Sequence, residues 1–176
     1  GNPDAEVYCL GEGPGYHEDQ QGKPFVGQAG QLLNRLLESI RFKREGVYIS
    51  NVVRFRPPQN RDPLPEEIAA FQPYVDREIE IINPKVIVTL GRFSMAKFLP
   101  YVKISSVHGK PHVIEWLGKS ITVVPMYHPA AALRAGAIME AIKEDFKIIP
   151  EVLQKMNEAE EARVKEENKP KQMGLI

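Results

Sequence analysis

The stretch "YISNVVRFRPPQNRDPLPEE" (residues 48–67) decides the fold. It begins as a short apolar strand and reaches Asn51. It then runs through Arg54, Phe55, Arg56, two prolines, Asn60 and Arg61 before a helix opens near Pro65. A strand that is apolar on both faces needs cover on both sides, which is the signature of a parallel sheet. Four segments carry it: "EVYCLG" (6–11), "GVYISN" (46–51), "KVIVTLG" (85–91) and "ITVVPM" (121–126). Helical patterns lie between them at 29–40, 64–84 and 92–99, with a late one at 137–165. Pro73 is expected to kink or split the second of these, and Pro150 to interrupt the last. Residues 102–116 read as two edge strands around His108-Gly109. This alternation predicts a three-layer α/β/α sandwich around a four-stranded parallel sheet.

Composition narrows the classes. The 176 residues suffice for one domain with a real core, and 43% are hydrophobic, ordinary for a globular protein. Formal net charge is zero, so any basic surface must be local. The single cysteine, Cys9, allows no internal disulfide and cannot hold a metal alone. That fits a reducing compartment. No apolar run is long enough to span a bilayer, and the start is not a signal peptide. The chain opens on Gly-Asn-Pro-Asp and reaches its first strand almost at once, which reads as a shortened form of something longer. Residues 1–156 read as the folded domain. Residues 157–176 read as a charged tail, a solvated helix fraying into disorder.

Ligands of open α/β sheets bind at the carboxyl ends of the strands. Those ends here are "GEGPGYHED", "NVVRFRPPQNR", "GRFS" and "YHPAAALR". The first departs from a dinucleotide-binding loop: Tyr16 stands where the third glycine belongs, and no helix is expected to follow at once. Gly22-Lys23 is followed by proline, so a Walker motif fails too. Glu12 sits inside the glycine run. Phe25, on a loop between proline and valine, suits stacking on a base, or the core. Asn51 offers a donor and an acceptor side by side, which suits a pyrimidine edge; it also suits a turn. His128 precedes Pro129 at the top of the sheet, with Arg134 about a turn beyond.

"GEGPGYHEDQQGKPFVGQAGQLLNRLL", "YISNVVRFRPPQNRDPLPEE" and "HPAAALR", in this order and spacing, resemble the family-four uracil-DNA glycosylases, the iron–sulfur type of that superfamily. The resemblance covers roughly residues 1–150. It implies a monofunctional, monomeric enzyme that flips deoxyuridine from single- or double-stranded DNA and hydrolyses the N-glycosidic bond, initiating base excision repair. It implies that His128 donates to uracil O2, that Asn51 reads the pyrimidine edge, that Phe25 stacks on the ring and that backbone at Gly13 closes the pocket. Glu18 matches the gate against the thymine methyl. Glu12 and Asn60 match the pair that positions water. Arg134 matches the loop that enters the minor groove. Arg54, Arg56, Arg61, His108 and Lys110 are candidates for phosphate contacts. A cytoplasmic, nucleoid-associated location follows. Two other readings stay open: a non-catalytic nucleic-acid-binding or clamp-tethered module that retains the fold, and a glycosylase for another deaminated base, such as hypoxanthine or xanthine.

The sequence departs from that family at the metal. Four cysteines bind a [4Fe-4S] cluster there, two of them in the matched region; Phe55 and Phe71 occupy those positions here. The expectation is no metal and no cofactor, with the two rings close together, buried, and stapling the loop in place of the cluster. The basic, histidine-bearing insertion of the cross-linking relatives is missing as well, so turnover is expected rather than covalent capture. The terminal "QMGLI", through Gln172, Met173, Leu175 and Ile176, resembles the short peptide with which bacterial repair proteins bind the sliding clamp.

Overall fold

The computed structural model describes residues 1–167. The chain forms β1 (Val7–Gly11), α1 (Tyr16–Gln21), α2 (Gln28–Ser39), β2 (Tyr48–Asn51), α3 (Pro65–Ile82), β3 (Val86–Leu90), α4 (Arg92–Ala96) and α5 (Ile104–Val107). It continues through β4 (His112–Trp116), β5 (Lys119–Met126), α6 (Pro129–Ala132), α7 (Gly136–Phe146) and α8 (Ile148–Glu167). The sheet has five strands in the order β2-β1-β3-β5-β4. The four predicted strands run parallel, and β4 is added antiparallel to β5 at one edge.

Side-chain alternation along β1 divides the core. Val7 and Cys9 join Leu33, Leu37, Ile142 and Phe146 on the face covered by α2, α7 and α8. Tyr8 and Leu10 join Val75, Ile79 and Phe98 on the face covered by α3. Both faces are therefore dry, as continuous apolar strands require.

Several expectations are corrected. Residues 102–116 do not form two edge strands: 104–107 are helical, which buries Val107, and only 112–116 pair with β5. A helix does follow the glycine run at once, because Tyr16–Gln21 forms α1. The break in the late helix falls at Lys147, ahead of Pro150. Pro150 lies in the first turn of α8, where backbone N–H groups have no helical partner to lose. Pro73 does not split α3; it lies on the exposed side, and Val75, Ile79 and Ile82 hold the following turns against the sheet. Helix α8 also runs on through the expected domain boundary at 156/157. The terminal residues Gln172, Met173, Leu175 and Ile176 lie outside the described residues.

Candidate active site

Register brings the strand ends together. Gly11 pairs with Asn51, and the ladder continues as Val52 N–H donates to Gly11 O and Val53 N–H to Glu12 O. On the other side Gly91 N–H donates to Met126 O at 2.9 Å, so the loops after β3 and β5 start level. Strand order reverses at β1, and a crevice opens where the loops after β1 and β3 part.

That crevice is a cleft of about 630 Å³. Glu12, Gly13, Glu18, Phe25, Asn60, Arg61, His128 and Arg134 line it, all of them named from the sequence. Asn51 does not; it lines an adjoining cavity of about 750 Å³, which shares Pro14 and Glu18 with the first.

Glu12 reaches across to the start of α4, where Phe93 N–H donates to its Oε1 at 3.2 Å. Gly91 makes the reach possible. Its φ is +105°, and a Cβ there would stand 2.3 Å from Glu12 Oε1. Burial raises the Glu12 carboxyl above its ordinary range; the Phe93 N–H and the charge of Arg92 oppose that without cancelling it.

His128 caps α6. Its Nδ1 accepts from Ala130 N–H at 3.1 Å, so the neutral ring carries its proton on Nε2. Burial, aided by the charge of Arg134, pushes the imidazole down to about 4. The ring lies 5.6 Å from that of Phe25, with 27° between planes. The Phe25 loop is anchored from behind: Arg44 donates to Phe25 O at 2.8 Å, to Pro24 O, and to Asn34 Oδ1 at 3.0 Å. Sequence reading passed over Arg44, because nothing in an isolated arginine announces that its partners are carbonyls 20 residues away.

Asn51 is 5% exposed, and its Oδ1 has no hydrogen-bond partner in the protein. A buried acceptor left unpaired costs about 1–3 kcal/mol, so this oxygen is open to a donor from a ligand or a water. Gly11 allows the approach: a Cβ there would lie 2.4 Å from Asn51 Oδ1 and 2.5 Å from the Phe25 ring.

Glu18 turns its Oε1 toward the backbone, accepting from Val26 N–H at 2.9 Å and Gly27 N–H at 2.7 Å. Burial works against its charge, yet these donors hold the carboxyl below its ordinary range. Asn60, at φ 54°, is exposed, and its Oδ1 accepts from Arg56 Nε at 2.7 Å.

The basic residues separate. Arg134 is exposed beside the cleft, and Lys110 is exposed with its ammonium on Ser106 O. Arg61 grips Glu67 with both nitrogens at 2.8 and 2.6 Å. Glu67 in turn accepts from Leu64 N–H at the start of α3. Arg54 faces the second cavity and pairs with Glu78 at 2.8 Å, where Tyr8 also donates to Glu78. His108 pairs with Asp145 at 2.8 Å and packs on Tyr127, a cleft residue. Arg54, Arg61 and His108 thus have protein partners already.

The residues at the family's cluster positions do not fit a cluster. Phe55 and Phe71 are adjacent, with centroids 5.7 Å apart, but Phe55 is 74% exposed. The expected buried staple is therefore corrected: the rings meet at the surface, and Arg54 rather than Phe55 ties this loop to α3. Cys9, the chain's one thiol, is fully buried in β1, its pKa pushed up to about 12 by burial. Among the described residues no group of three or more His, Cys, Asp or Glu side chains is placed to hold a metal.

The uracil DNA glycosylase superfamily matches residues 1–149, which takes in every cleft residue above. The chain belongs to that superfamily. Similar proteins include the type-4 uracil-DNA glycosylase of Sulfurisphaera tokodaii, 47% identical over 86% of this chain and 72% of its own length. That of Archaeoglobus fulgidus is 48% identical over 86% of this chain and 79% of its own. That of Saccharolobus solfataricus is 46% identical over 87% and 74%. Within the superfamily, type 4 is the family these likenesses define. No helix among the described residues is long and apolar enough to cross a membrane.

Proposed function

We propose that this protein is a uracil-DNA glycosylase that hydrolyses the N-glycosidic bond of deoxyuridine in DNA, releasing uracil and leaving an abasic site for base excision repair. One observation carries the reading: the buried, unpartnered Oδ1 of Asn51 beside the Phe25 ring. Uracil offers a donor at N3 and an acceptor at O4, which match the Asn51 amide. Cytosine lacks the N3–H and would leave that acceptor unpaired, which a buried site rejects. Phe25 stacks on the base, and Gly13 closes the pocket with backbone.

The bond from C1′ to N1 breaks first, its electron pair passing into the base. Negative charge grows on O2, and the Nε2–H of His128 stabilises it without proton transfer. The sugar becomes oxocarbenium-like. Glu12 faces it as a carboxylate, offsets its charge and draws the proton from the attacking water. Asn60 spends its oxygen on Arg56 and keeps its amide N–H for that water. Glu18, pinned by two backbone donors, forms a fixed wall against a 5-methyl group. A non-catalytic module has no use for a buried carboxylate and a buried unpaired amide, both of which cost stability.

No iron–sulfur cluster enters this scheme, and one buried thiol could not hold it. The folded domain is assigned to residues 1–156, with α8 carrying on from it toward the charged tail. The terminal Gln172, Met173, Leu175 and Ile176 are read as a tethered sliding-clamp peptide, supported by their pattern alone and tested by pull-down with the last five residues deleted. A cytoplasmic, nucleoid-associated location is the one this reading implies.

The deciding experiment incubates the protein with single-stranded and duplex oligonucleotides carrying one deoxyuridine, then cleaves with alkali. Strand scission at the uracil is expected; intact strands with both substrates refute the reading.

A further inference from the structure

Tyr16 is the first residue of α1 and is 56% exposed, although the residue before it, Gly15, lines the cleft. The guanidinium carbon of Arg56 lies over its ring, 5.3 Å from the centroid. Arg56 is held in turn by Asn60, through the 2.7 Å bond from Nε. His17 meets the ring edge-on at 5.5 Å. A large, exposed aromatic on a cleft rim, with a fixed cation over it, has the form of a stacking platform for a nucleobase. Burial in the core does not account for Tyr16, since α1 buries none of its residues.

We propose that Tyr16, with Arg56 over its ring, stacks on the base of the nucleotide next to the one that enters the cleft. The inference rests on the uracil-DNA reading. An extruded nucleotide remains on its phosphodiester chain, so its neighbours must cross the cleft mouth. In single-stranded DNA those neighbours are not held in a base-paired stack, and a rim aromatic offers them a surface. Arg56 then serves the platform as well as any phosphate, because its Nε is already committed to Asn60. Stacking of this kind tolerates any base, so the site would sense that a flanking base is present, not which one it is.

The test pairs protein variants with DNA variants. Wild type, Tyr16→Ala and Tyr16→Phe are compared on single-stranded oligonucleotides with one uracil, flanked by ordinary nucleotides or by abasic spacers. For Tyr16→Ala the expected result is a KM about tenfold higher on the ordinary substrate, with kcat unchanged. Wild type and Tyr16→Ala should coincide on the spacer substrate, and Tyr16→Phe should behave as wild type. Kd values for the same DNAs, measured by fluorescence anisotropy, give a readout that needs no catalysis. Equal effects of Tyr16→Ala on both DNAs, or none on either, overturn the platform even if wild type releases uracil. If wild type releases no uracil but the flank-dependent Kd pattern holds, the platform stands and the functional reading falls.

Discussion

Ala130 N–H donates to His128 Nδ1 at 3.1 Å, and this one contact decides which ring nitrogen is free to donate. With Nδ1 occupied as an acceptor, the neutral ring is a donor at Nε2. Burial pushes its pKa down to about 4, so the ring does not protonate as pH falls through the ordinary histidine range. The unfolded chain does take up that proton near pH 6.5. This group therefore subtracts stability as pH falls from about 6.5 toward about 4, and has no such effect above. Titration of the histidine ring protons by NMR is expected to place His128 near 4, and a value near 6.5 would refute the neutral-donor role. His128→Ala should slow uracil release by about 10²–10³-fold, the scale of losing one oxyanion donor.

Glu12 is expected to set the acid limb instead. Burial raises its carboxyl pKa, so it loses its charge at a higher pH than an ordinary carboxylate does. The kcat/KM profile should fall on the acid side above the usual carboxylate range, and Glu12→Gln should abolish that inflection while lowering the rate by about 10²–10⁴-fold. Stability moves the other way. A raised carboxyl favours the folded state at low pH, an advantage lost as pH rises through the folded pKa. At neutral pH Glu12→Gln should therefore melt no lower than wild type. A clear drop in Tm would mean that Glu12 holds the loop and is not a strained functional group.

Asn51→Leu separates stability from activity at the second site. It replaces a buried, unpaired acceptor with apolar atoms of similar shape. Unfolding free energy should stay level or rise by about 1 kcal/mol, and uracil release should fall by at least about 10²-fold. Loss of stability in denaturant would show that the amide has a structural partner after all.

The strand ends and the three motifs they carry were legible in the sequence, because buried parallel strands repeat one pattern and register forces their loops together. Long-range pairing was not legible. Arg54, Arg61 and His108 look like surface cations in one dimension, yet Glu78, Glu67 and Asp145 claim them in three. Residues 102–116 misled because Ile104 and Val107 share a helical stripe as easily as a strand face, and four residues are too few to decide by period. The aromatics at 55 and 71 were placed together correctly and buried wrongly: shared ligation in relatives fixes proximity, not depth.

Phe55→Ala tests that last distinction. A side chain 74% exposed should cost less than about 1 kcal/mol when truncated. Glu78→Ala should cost more, about 2 kcal/mol, because it strands the part-buried guanidinium of Arg54 and removes the acceptor of Tyr8. The reverse order in urea denaturation would restore Phe55 as the staple.

The same pairings predict which cations DNA feels. A phosphate contact releases counterions, so removing one lowers the slope of log K against log salt by about one. Arg134 stands exposed at the cleft mouth, and Arg134→Ala should weaken DNA binding and reduce that slope by about one. Arg54 is committed to Glu78 on the far cavity, so Arg54→Ala should leave the slope unchanged and lower unfolding stability instead. Anisotropy titrations at several salt concentrations, beside a denaturant melt of each variant, read both axes at once. If Arg54→Ala lowers the slope as much as Arg134→Ala does, the Arg54–Glu78 pair must open on DNA, and the basic footprint extends across β2 to the second cavity.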